Sequence, residues 1–197
     1  CRMCRREGVS LCGKLKCALS RRETAPGKGM RRGRSRRPSE YGRRLREKQK
    51  VKRLYGVLER QFRRIYEKAR RQKGNTGENL LVLLERRLDN TLFAMGFGST
   101  RPMARQLVVH GHVRVDGKKV TSPSTLVKAG QVLSAADKEK SKALFKSGQE
   151  LSGALRSPPS WVTTNDTDLS GTVVALPKRE DVPIEINELY VVEVCSR

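Results

Sequence analysis

The chain has 197 residues, of which 36% are hydrophobic and 32% are charged, and it carries a formal net charge of +23. A hydrophobic fraction this low limits the chain to a small core and predicts that part of it has no core of its own. A net charge this high argues against a protein that functions without an anionic partner, because the cations repel one another until a polyanion neutralises them.

The positive charge is concentrated in the first 75 residues. Residues 1–75 hold 27 Lys and Arg against 6 Asp and Glu, whereas residues 76–197 hold 16 against 14. Nucleic acid is the polyanion that this distribution favours. An anionic membrane surface is the alternative, but the sequence has neither a lipidation signal nor an apolar stretch near the roughly 20 residues that cross a bilayer. We therefore expect no membrane partner and a cytosolic location.

Four of the five cysteines lie within the first 17 residues. Cys1 and Cys4 form a CxxC pair, and Cys12 and Cys17 follow after gaps of seven and four residues. Thiolates are soft ligands that suit tetrahedral zinc or an iron–sulfur cluster, and a metal would supply folding energy to a segment with few aliphatic residues. We predict a structural zinc ion held by these four cysteines, with an iron–sulfur cluster as the alternative. A basic tail with free thiols is the other interpretation, and disulfides are disfavoured in the cytosol.

A basic arm and three helices are predicted over the next part of the chain. Residues 21–38 contain mostly Gly, Pro and Arg, and we expect them to order only on a partner. Capping residues and glycine stops bound helices at 39–56, 58–74 and 76–96, each with apolar residues at helical spacing. Three amphipathic helices in succession indicate a small helical domain.

A compact helix–hairpin unit is predicted at residues 99–120. Ser99 or Thr100 can cap a short helix that ends before residue 111. Asp116 and Gly117 then lie between alternating apolar residues, which is a strong hairpin signal because both turn positions require a positive φ. A further strand is expected at 131–135.

The C-terminal third predicts mixed elements. A helix is expected at 137–155, and short strands at 161–164 and 172–176. The segment 187–195 is ambiguous, because its valines and tyrosine favour a strand while Asn187 can cap a short helix. Together the elements predict an α+β chain.

Basic and polar side chains of two regions are the candidate RNA contacts. The positive charges of the arm and first helix are too dense to serve solubility alone, so we expect them to contact RNA phosphates. Phosphate contacts position a protein on RNA without reading its sequence. In the helix–hairpin unit, a helix N-terminus offers free N–H groups to phosphate. A solvated polar face remains the alternative for the helix–hairpin unit, and a packing role remains the alternative for Tyr41 of the first helix. The candidates are Arg34, Arg36, Arg37, Tyr41, Arg43, Arg44, Arg46, Lys48, Lys50, Lys52, Arg53, Arg101, Arg105, Gln106, His110, His112, Arg114, Lys118 and Lys119.

Catalytic motifs are not recognised in the sequence. It has no Walker-type phosphate loop, no GxSxG and no HExxH. Glu85 and Asp89 lie one helical turn apart, but the neighbouring Arg86 and Arg87 favour salt bridges over a catalytic carboxylate pair. We therefore expect no enzyme activity and no small-molecule substrate.

Several long segments resemble the bacterial small-subunit ribosomal protein "S-four" family. They run in order along nearly the whole chain: CRMCRREGVSLC and KCAL, RRPSEYGRRLREKQKVKRLYGVLERQFRRIYEKA, LLERRLDNTLFAMGF, ARQLVVHGHVRVDGKKV and INELYVVEVCSR. Family members with four cysteines usually have a longer gap between the two cysteine pairs.

The resemblance implies a function and a domain plan. Such proteins bind the 5′ domain of small-subunit ribosomal RNA, nucleate assembly of the subunit body and contribute to translational accuracy. They contact the ribosomal protein "S-five" and line the path by which messenger RNA enters. The family's plan implies a Cys-rich basic arm (1–37), a helical domain (38–85, completed by 177–197), an inserted RNA-binding module of two helices plus hairpin and strands (86–150) and its extension (151–176).

The resemblance also bears on the two remaining alternatives. It implies a helix at the C-terminus and a location in the ribosome, in the cytoplasm or in an organelle matrix. An RNA-modifying enzyme with the same module would need a catalytic domain, for which the roughly 45 residues after the module are too few. A stand-alone RNA-binding protein that acts on stalled ribosomes is the other function, although it would not need the Cys-rich arm.

Overall fold

The computed structural model describes residues 1–14, 16–27, 39–153, 157–182 and 184–196. The chain divides into two compact units, residues 1–80 with 184–197, and residues 81–183. No helix in these described ranges is long and apolar enough to cross a membrane. The helices are α1 Arg2–Glu7, α2 Glu40–Tyr55, α3 Glu59–Arg70, α4 Thr76–Glu85, α5 Leu88–Ala94, α6 Arg101–Val109, α7 Glu139–Gly153 and α8 Glu188–Ser196. The strands are β1 Val113–Val115, β2 Lys118–Lys119, β3 Val132–Ala135, β4 Val162–Asn165 and β5 Ser170–Val173.

Helix α2 begins and ends where its capping residues predict. The Ser39 hydroxyl accepts a hydrogen bond from the backbone N–H of Gly42 (3.1 Å), and Gly56 ends the helix in the left-handed conformation at φ 62°. Its apolar face buries Val51 and Leu54. The predicted first helix is therefore confirmed, and so is the second, which the structure places at α3.

The third predicted helix is wrong as a single element, because the structure divides residues 76–96 into α4 and α5. Arg87 between them is extended (φ −66°, ψ 137°) and forms an isolated β-bridge with Leu126. The backbone N–H of Leu88 donates to the carbonyl of Thr125 at 2.8 Å. These tertiary hydrogen bonds replace the helical ones, and the leucine stripe concealed the break because its apolar spacing continues across it.

A five-stranded antiparallel sheet forms the centre of the second unit, in the order β2-β1-β3-β5-β4. The hairpin between β1 and β2 is confirmed, since Asp116 and Gly117 have φ values of 49° and 76°. The strand predicted at 172–176 begins earlier, at Ser170, and pairs with both β3 and β4. The hairpin, the third strand and the later strands thus belong to one sheet.

Helices α5, α6 and α7 contribute to the hydrophobic core of this unit together with the sheet. Phe97 and Phe145 are fully buried, with ring centroids 4.9 Å apart. Gly148 permits the close approach of α7, because a Cβ at that position would collide with the backbone carbonyl of Phe97. The predicted helix at 137–155 is confirmed as α7.

The C-terminal segment is a helix, as the family resemblance implies. Helix α8 packs against α2, and the Asn187 side chain caps it by accepting a hydrogen bond from the N–H of Tyr190 (3.3 Å). The side chain of Lys50 donates to the carbonyl of Glu185 (2.7 Å), and Arg44 forms an ion pair with Glu193 (2.8 Å). Packing on α2 therefore overrides the strand preference of the valines.

Candidate nucleic-acid interface and candidate metal centre

Three cysteines of the N-terminal segment come together around α1. The sulfurs of Cys1, Cys4 and Cys12 all lie within 4.8 Å of one another. Cys1 and Cys4 are brought together by one helical turn, and the backbone N–H of Leu11 donates to the Cys4 sulfur at 3.2 Å. Sulfurs about 3.8 Å apart are what a tetrahedral ion with 2.3 Å metal–sulfur bonds requires. These three thiols can therefore hold a metal ion with only small adjustments.

Cys17 lies beside this group and is hydrogen-bonded to Cys4 and Cys12, but its sulfur is not among those that lie within 4.8 Å of one another. Hydrogen bonds from the backbone of Leu19 and from the Cys12 and Cys4 thiols lower the pKa of Cys17 to about 7. By contrast, burial raises the pKa of the Cys4 thiol. A thiol that ionises near neutral pH is suited to metal ligation, because the thiolate is the ligand form.

Glu7 connects the cysteine segment to α2. Its side chain is only 3% exposed and forms ion pairs with Arg53 and Arg46 of α2. Arg5 of α1 also donates to the carbonyl of Thr24 at 2.9 Å. The segment is thus held by charged contacts and has few buried apolar side chains, namely Cys4, Leu11 and Cys17.

The cations predicted on α2 lie largely in intramolecular ion pairs. Lys48 is buried and its ammonium lies 2.5 Å from the Glu59 carboxylate, which Lys52 also contacts at 2.7 Å. Burial raises the pKa of Glu59, but hydrogen bonds from these lysines and from Arg63 outweigh it and lower that pKa to about 2. The paired members of the predicted set are Arg44, Arg46, Lys48, Lys50, Lys52 and Arg53, whereas Tyr41 and Arg43 are exposed.

The buried carboxylate of Asp89 orients Arg105, a predicted RNA contact in the middle of α6. Asp89 accepts two hydrogen bonds from the guanidinium of Arg87 (3.1 and 2.8 Å), whose side chain is 1% exposed. Arg105 reaches the same carboxylate at 3.2 Å while remaining 41% exposed. The expected salt bridge at Asp89 is confirmed, and the Glu85 carboxylate accepts from the Asn90 amide. Arg105 therefore presents its charge from a fixed position.

Other predicted residues of this unit lie around α6 and the hairpin. Arg101 donates to the side-chain oxygen of Asn90 (2.8 Å) and stacks 4.3 Å from the ring centroid of Phe93. Lys118 and Lys119 are both exposed at the hairpin tip. Arg114 on β1 forms an ion pair with Asp137 at 2.7 Å.

The two histidines are held at the end of α6 and the start of β1. His110 is exposed, and the Nδ1 atom of His112 lies 2.9 Å from the hydroxyl oxygen of the buried Ser141. Burial lowers the pKa of His112 below its ordinary value, and the positive charges of His110, Lys140, Lys138 and Lys119 add to this shift. Both histidines, with Gln106, line one cleft.

Comparison with known proteins identifies the family. The family described as Ribosomal protein S4/S9 N-terminal domain matches residues 1–85, and the S4 domain matches residues 86–133. The small ribosomal subunit protein uS4A of Alkaliphilus oremlandii (strain OhILAs) is 53% identical over 204 aligned positions, which cover 100% of this chain and 96% of that protein. The uS4 protein of Chloroflexus aurantiacus (strain ATCC 29366 / DSM 635 / J-10-fl) is 50% identical over 195 residues, which cover 98% and 94%.

The chain belongs to the small ribosomal subunit protein uS4 family. The resemblance stated from the sequence is thereby confirmed, and the uS4 family is one of structural ribosomal proteins rather than enzymes. The α+β class is confirmed by the helices and sheet described above.

This uS4-family chain also has a basic surface that sequence reasoning missed. Helix α3 buries Phe62, Tyr66 and Ala69 on one face, and its opposite side and the following turn are cationic. The sequence pattern that predicted α3 could have revealed this basic surface, because the cations occupy the helical positions between the apolar ones. The exposed cations are Arg60, Arg63, Arg64, Lys68, Arg70, Arg71 and Lys73. The predicted arm contacts Arg34, Arg36 and Arg37 lie outside the described residues.

Proposed function

We propose that this chain is a structural component of the small ribosomal subunit that binds small-subunit ribosomal RNA directly. The observation that carries the proposal is its similarity along the whole chain to relatives named small ribosomal subunit proteins. An S4 domain at residues 86–133, with exposed cations on its hairpin, supports binding through this unit. Neighbouring ribosomal proteins are then its protein partners, and the ribosome is its location.

The family resemblance supports a more specific role in assembly. We propose that the chain is a primary binder of the 5′ domain, that it nucleates assembly of the subunit body, and that it contributes to translational accuracy. We further propose that it contacts the "S-five" protein and messenger RNA where the message enters the subunit. The module would span 86–150 with an extension at 151–176, and the helical domain would span 38–85 with 177–197.

Binding proceeds, in this proposal, from general attraction to a fitted contact. The arm, with Arg34, Arg36 and Arg37, and the exposed cations of α3 attract the RNA backbone at long range. The helix–hairpin unit then fits the RNA, because Arg105 is fixed by Asp89 and the strands hold the hairpin in place. Cations that are both buried and paired with a carboxylate, such as Lys48, would contribute mainly to stability, whereas Arg105 is paired but its side chain remains 41% exposed.

We propose that the thiol cluster holds zinc, with Cys17 as the fourth ligand. The three clustered sulfurs supply a soft donor set, and the lowered pKa of Cys17 with its hydrogen bonds to Cys4 and Cys12 supports its inclusion. Zinc would supply structure only, since four protein ligands leave no position for a substrate.

Chemical footprinting on full-length small-subunit ribosomal RNA tests this function. We expect protection confined to a helical junction of the 5′ domain that survives large-subunit RNA as competitor. The double variant Lys118→Ala/Lys119→Ala should bind about tenfold more weakly and flatten the log–log salt slope by about 1.5, as expected for two lost phosphate contacts. The matched control is Lys142→Ala/Lys146→Ala on the exposed side of α7.

Two results would contradict the proposal. Diffuse protection that the competitor removes would favour a stand-alone RNA-binding protein over a ribosomal component. Equal losses in the two double variants would show that the hairpin tip contributes only net charge and does not form a fitted contact.

A further inference from the structure

A cleft of about 520 Å³ opens between α6 and α7 in the second unit. Pockets that hold small molecules span roughly 300–1,000 Å³, so this cleft is large enough for a ligand of nucleotide size. Met103 and Leu107 of α6 and Leu144 of α7 supply its apolar surface. Positions 103, 106, 107 and 110 lie on one face of a helix, which explains why a single helix lines so much of the cleft.

The polar side chains of the cleft are neutral or basic. Gln106 and His110 come from α6, His112 from the start of β1 and Lys140 from α7. None of the lining side chains, all of which belong to the described part of the chain, is acidic. The cleft therefore combines an apolar surface with a cationic rim. A ligand that contacts both must have an apolar part and an anionic part, which a simple anion and a hydrocarbon each lack.

His112 has a fixed position in this cleft. Its Nδ1 atom lies 2.9 Å from the hydroxyl oxygen of Ser141, which is fully buried. This contact sets the ring orientation and leaves Nε2 as the nitrogen available to a ligand. Burial holds the pKa of His112 below its usual range, and the nearby cations, among them His110 and Lys140, add to this shift. A bound anion would interact favourably with these cations.

We propose that this cleft binds one nucleotide unit, with the base against Met103, Leu107 and Leu144 and the phosphate at the rim formed by His110, His112 and Lys140. Gln106 can hydrogen-bond a base edge, because its amide offers both donors and an acceptor. The proposal rests on the proposed RNA-binding function, and it adds a pocket for a single unpaired base to contacts with the phosphate backbone. Single-stranded RNA whose bases are splayed out is one source of such a unit, and a free mononucleotide is the other.

The two histidines provide a direct readout, because the chain contains no others. The full chain, with its histidine rings isotopically labelled, is titrated by NMR with adenosine monophosphate, uridine monophosphate, inorganic phosphate or a single-stranded hexaribonucleotide. We expect a mononucleotide to shift both ring signals and to saturate with a dissociation constant on the order of 1 mM. Inorganic phosphate should produce a smaller shift that does not saturate in the same range.

A charge-matched pair of variants assigns the effect to the cleft. Lys140→Gln removes a rim cation, and we expect it to weaken mononucleotide binding about fivefold. Lys142→Gln removes the same charge from an exposed position on the same helix outside the cleft, and it should bind as the unaltered chain does. Circular dichroism melting of both variants confirms that each remains folded.

The outcomes distinguish this proposal from the proposed function. Shifts with both the mononucleotide and the hexaribonucleotide support the cleft as an RNA nucleotide site, and shifts with the mononucleotide alone support it as a site for free nucleotides. Unmoved histidine signals, equal responses to phosphate and to mononucleotide, or equal behaviour of the two variants would overturn the cleft proposal. If footprinting on ribosomal RNA succeeds at the same time, the proposed function stands without the cleft.

Discussion

Replacing Glu59 with glutamine tests whether the lysines of α2 are structural residues. The Glu59 carboxylate accepts from Lys48 and Lys52, and these contacts outweigh burial and lower its pKa from 4.5 to about 2. A shift of this size corresponds to about 3–4 kcal/mol at roughly 1.4 kcal/mol per pKa unit. Because the side chain is 41% exposed, solvent screening reduces our expectation to about 1–2 kcal/mol of unfolding free energy.

The pH dependence of this loss follows from the sign of the shift. A carboxyl whose pKa is lower in the folded state stabilises fully above its unfolded pKa of about 4.5 and loses that effect as the pH falls towards 2. Denaturant unfolding followed by circular dichroism should therefore show Glu59→Gln less stable by about 1–2 kcal/mol at pH 7. The difference from the unaltered chain should fall by about half between pH 5 and pH 3.

The matched control is Glu67→Gln, an exposed position on the same helix for which the described residues provide no ion pair. It should change stability by less than about 0.5 kcal/mol at every pH. A loss of unfolding free energy in Glu59→Gln that stays constant from pH 7 to pH 3, or that equals the loss in the control, would refute this reasoning. Either result would mean that the ion pairs of Glu59 with Lys48 and Lys52 do not stabilise the fold.

Four further perturbations test other parts of the molecule. Cys12→Ser should lower the zinc content of the purified chain, measured by elemental mass spectrometry, from about one ion per chain to well below half, whereas Cys195→Ser on α8 should leave it unchanged; equal content in both variants would exclude the cluster as the site. Arg105→Ala should weaken ribosomal RNA binding about tenfold in a filter-binding assay with little change in melting temperature, and a large drop in melting temperature would make the residue structural instead. His112→Asn should flatten the decline in stability as the pH falls below about 6.5, because a histidine with a lowered folded-state pKa stabilises above its unfolded pKa and loses that effect on acidification; unchanged thermal melts between pH 7 and pH 5 would contradict this. Gly148→Ala should cost about 2–3 kcal/mol in denaturant unfolding, since its Cβ meets the Phe97 carbonyl, and a neutral effect would mean that α7 shifts freely.

Local signals in the sequence predicted most of the elements correctly. Ser39 and Gly56 bound α2 because a hydroxyl cap and a left-handed glycine act on the backbone next to them. Asp116 and Gly117 form their turn for the same local reason. Where the deciding interaction lies within a few residues, composition and spacing are sufficient to predict it.

Contacts distant in sequence decided the rest of the fold. The break between α4 and α5 depends on the bridge from Arg87 to Leu126, and no pattern within residues 76–96 contains that partner. The end of the chain is helical because α8 packs on α2, although its own residues also suited a strand. Propensity differences are small per residue, so such packing decides between them.

The candidate sites divide in the same way. The sequence by itself determined that the chain is strongly basic, which parts are cationic and which four cysteines are clustered at the start. Only the tertiary structure decided which cations are exposed, because Lys48 is buried against a carboxylate eleven residues away whereas Lys118 is exposed on β2, directly after the hairpin turn. Likewise, the cleft between α6 and α7 brings His112 and Lys140 together from separate elements. Charge is a property of each residue, but its accessibility depends on what the fold places beside it.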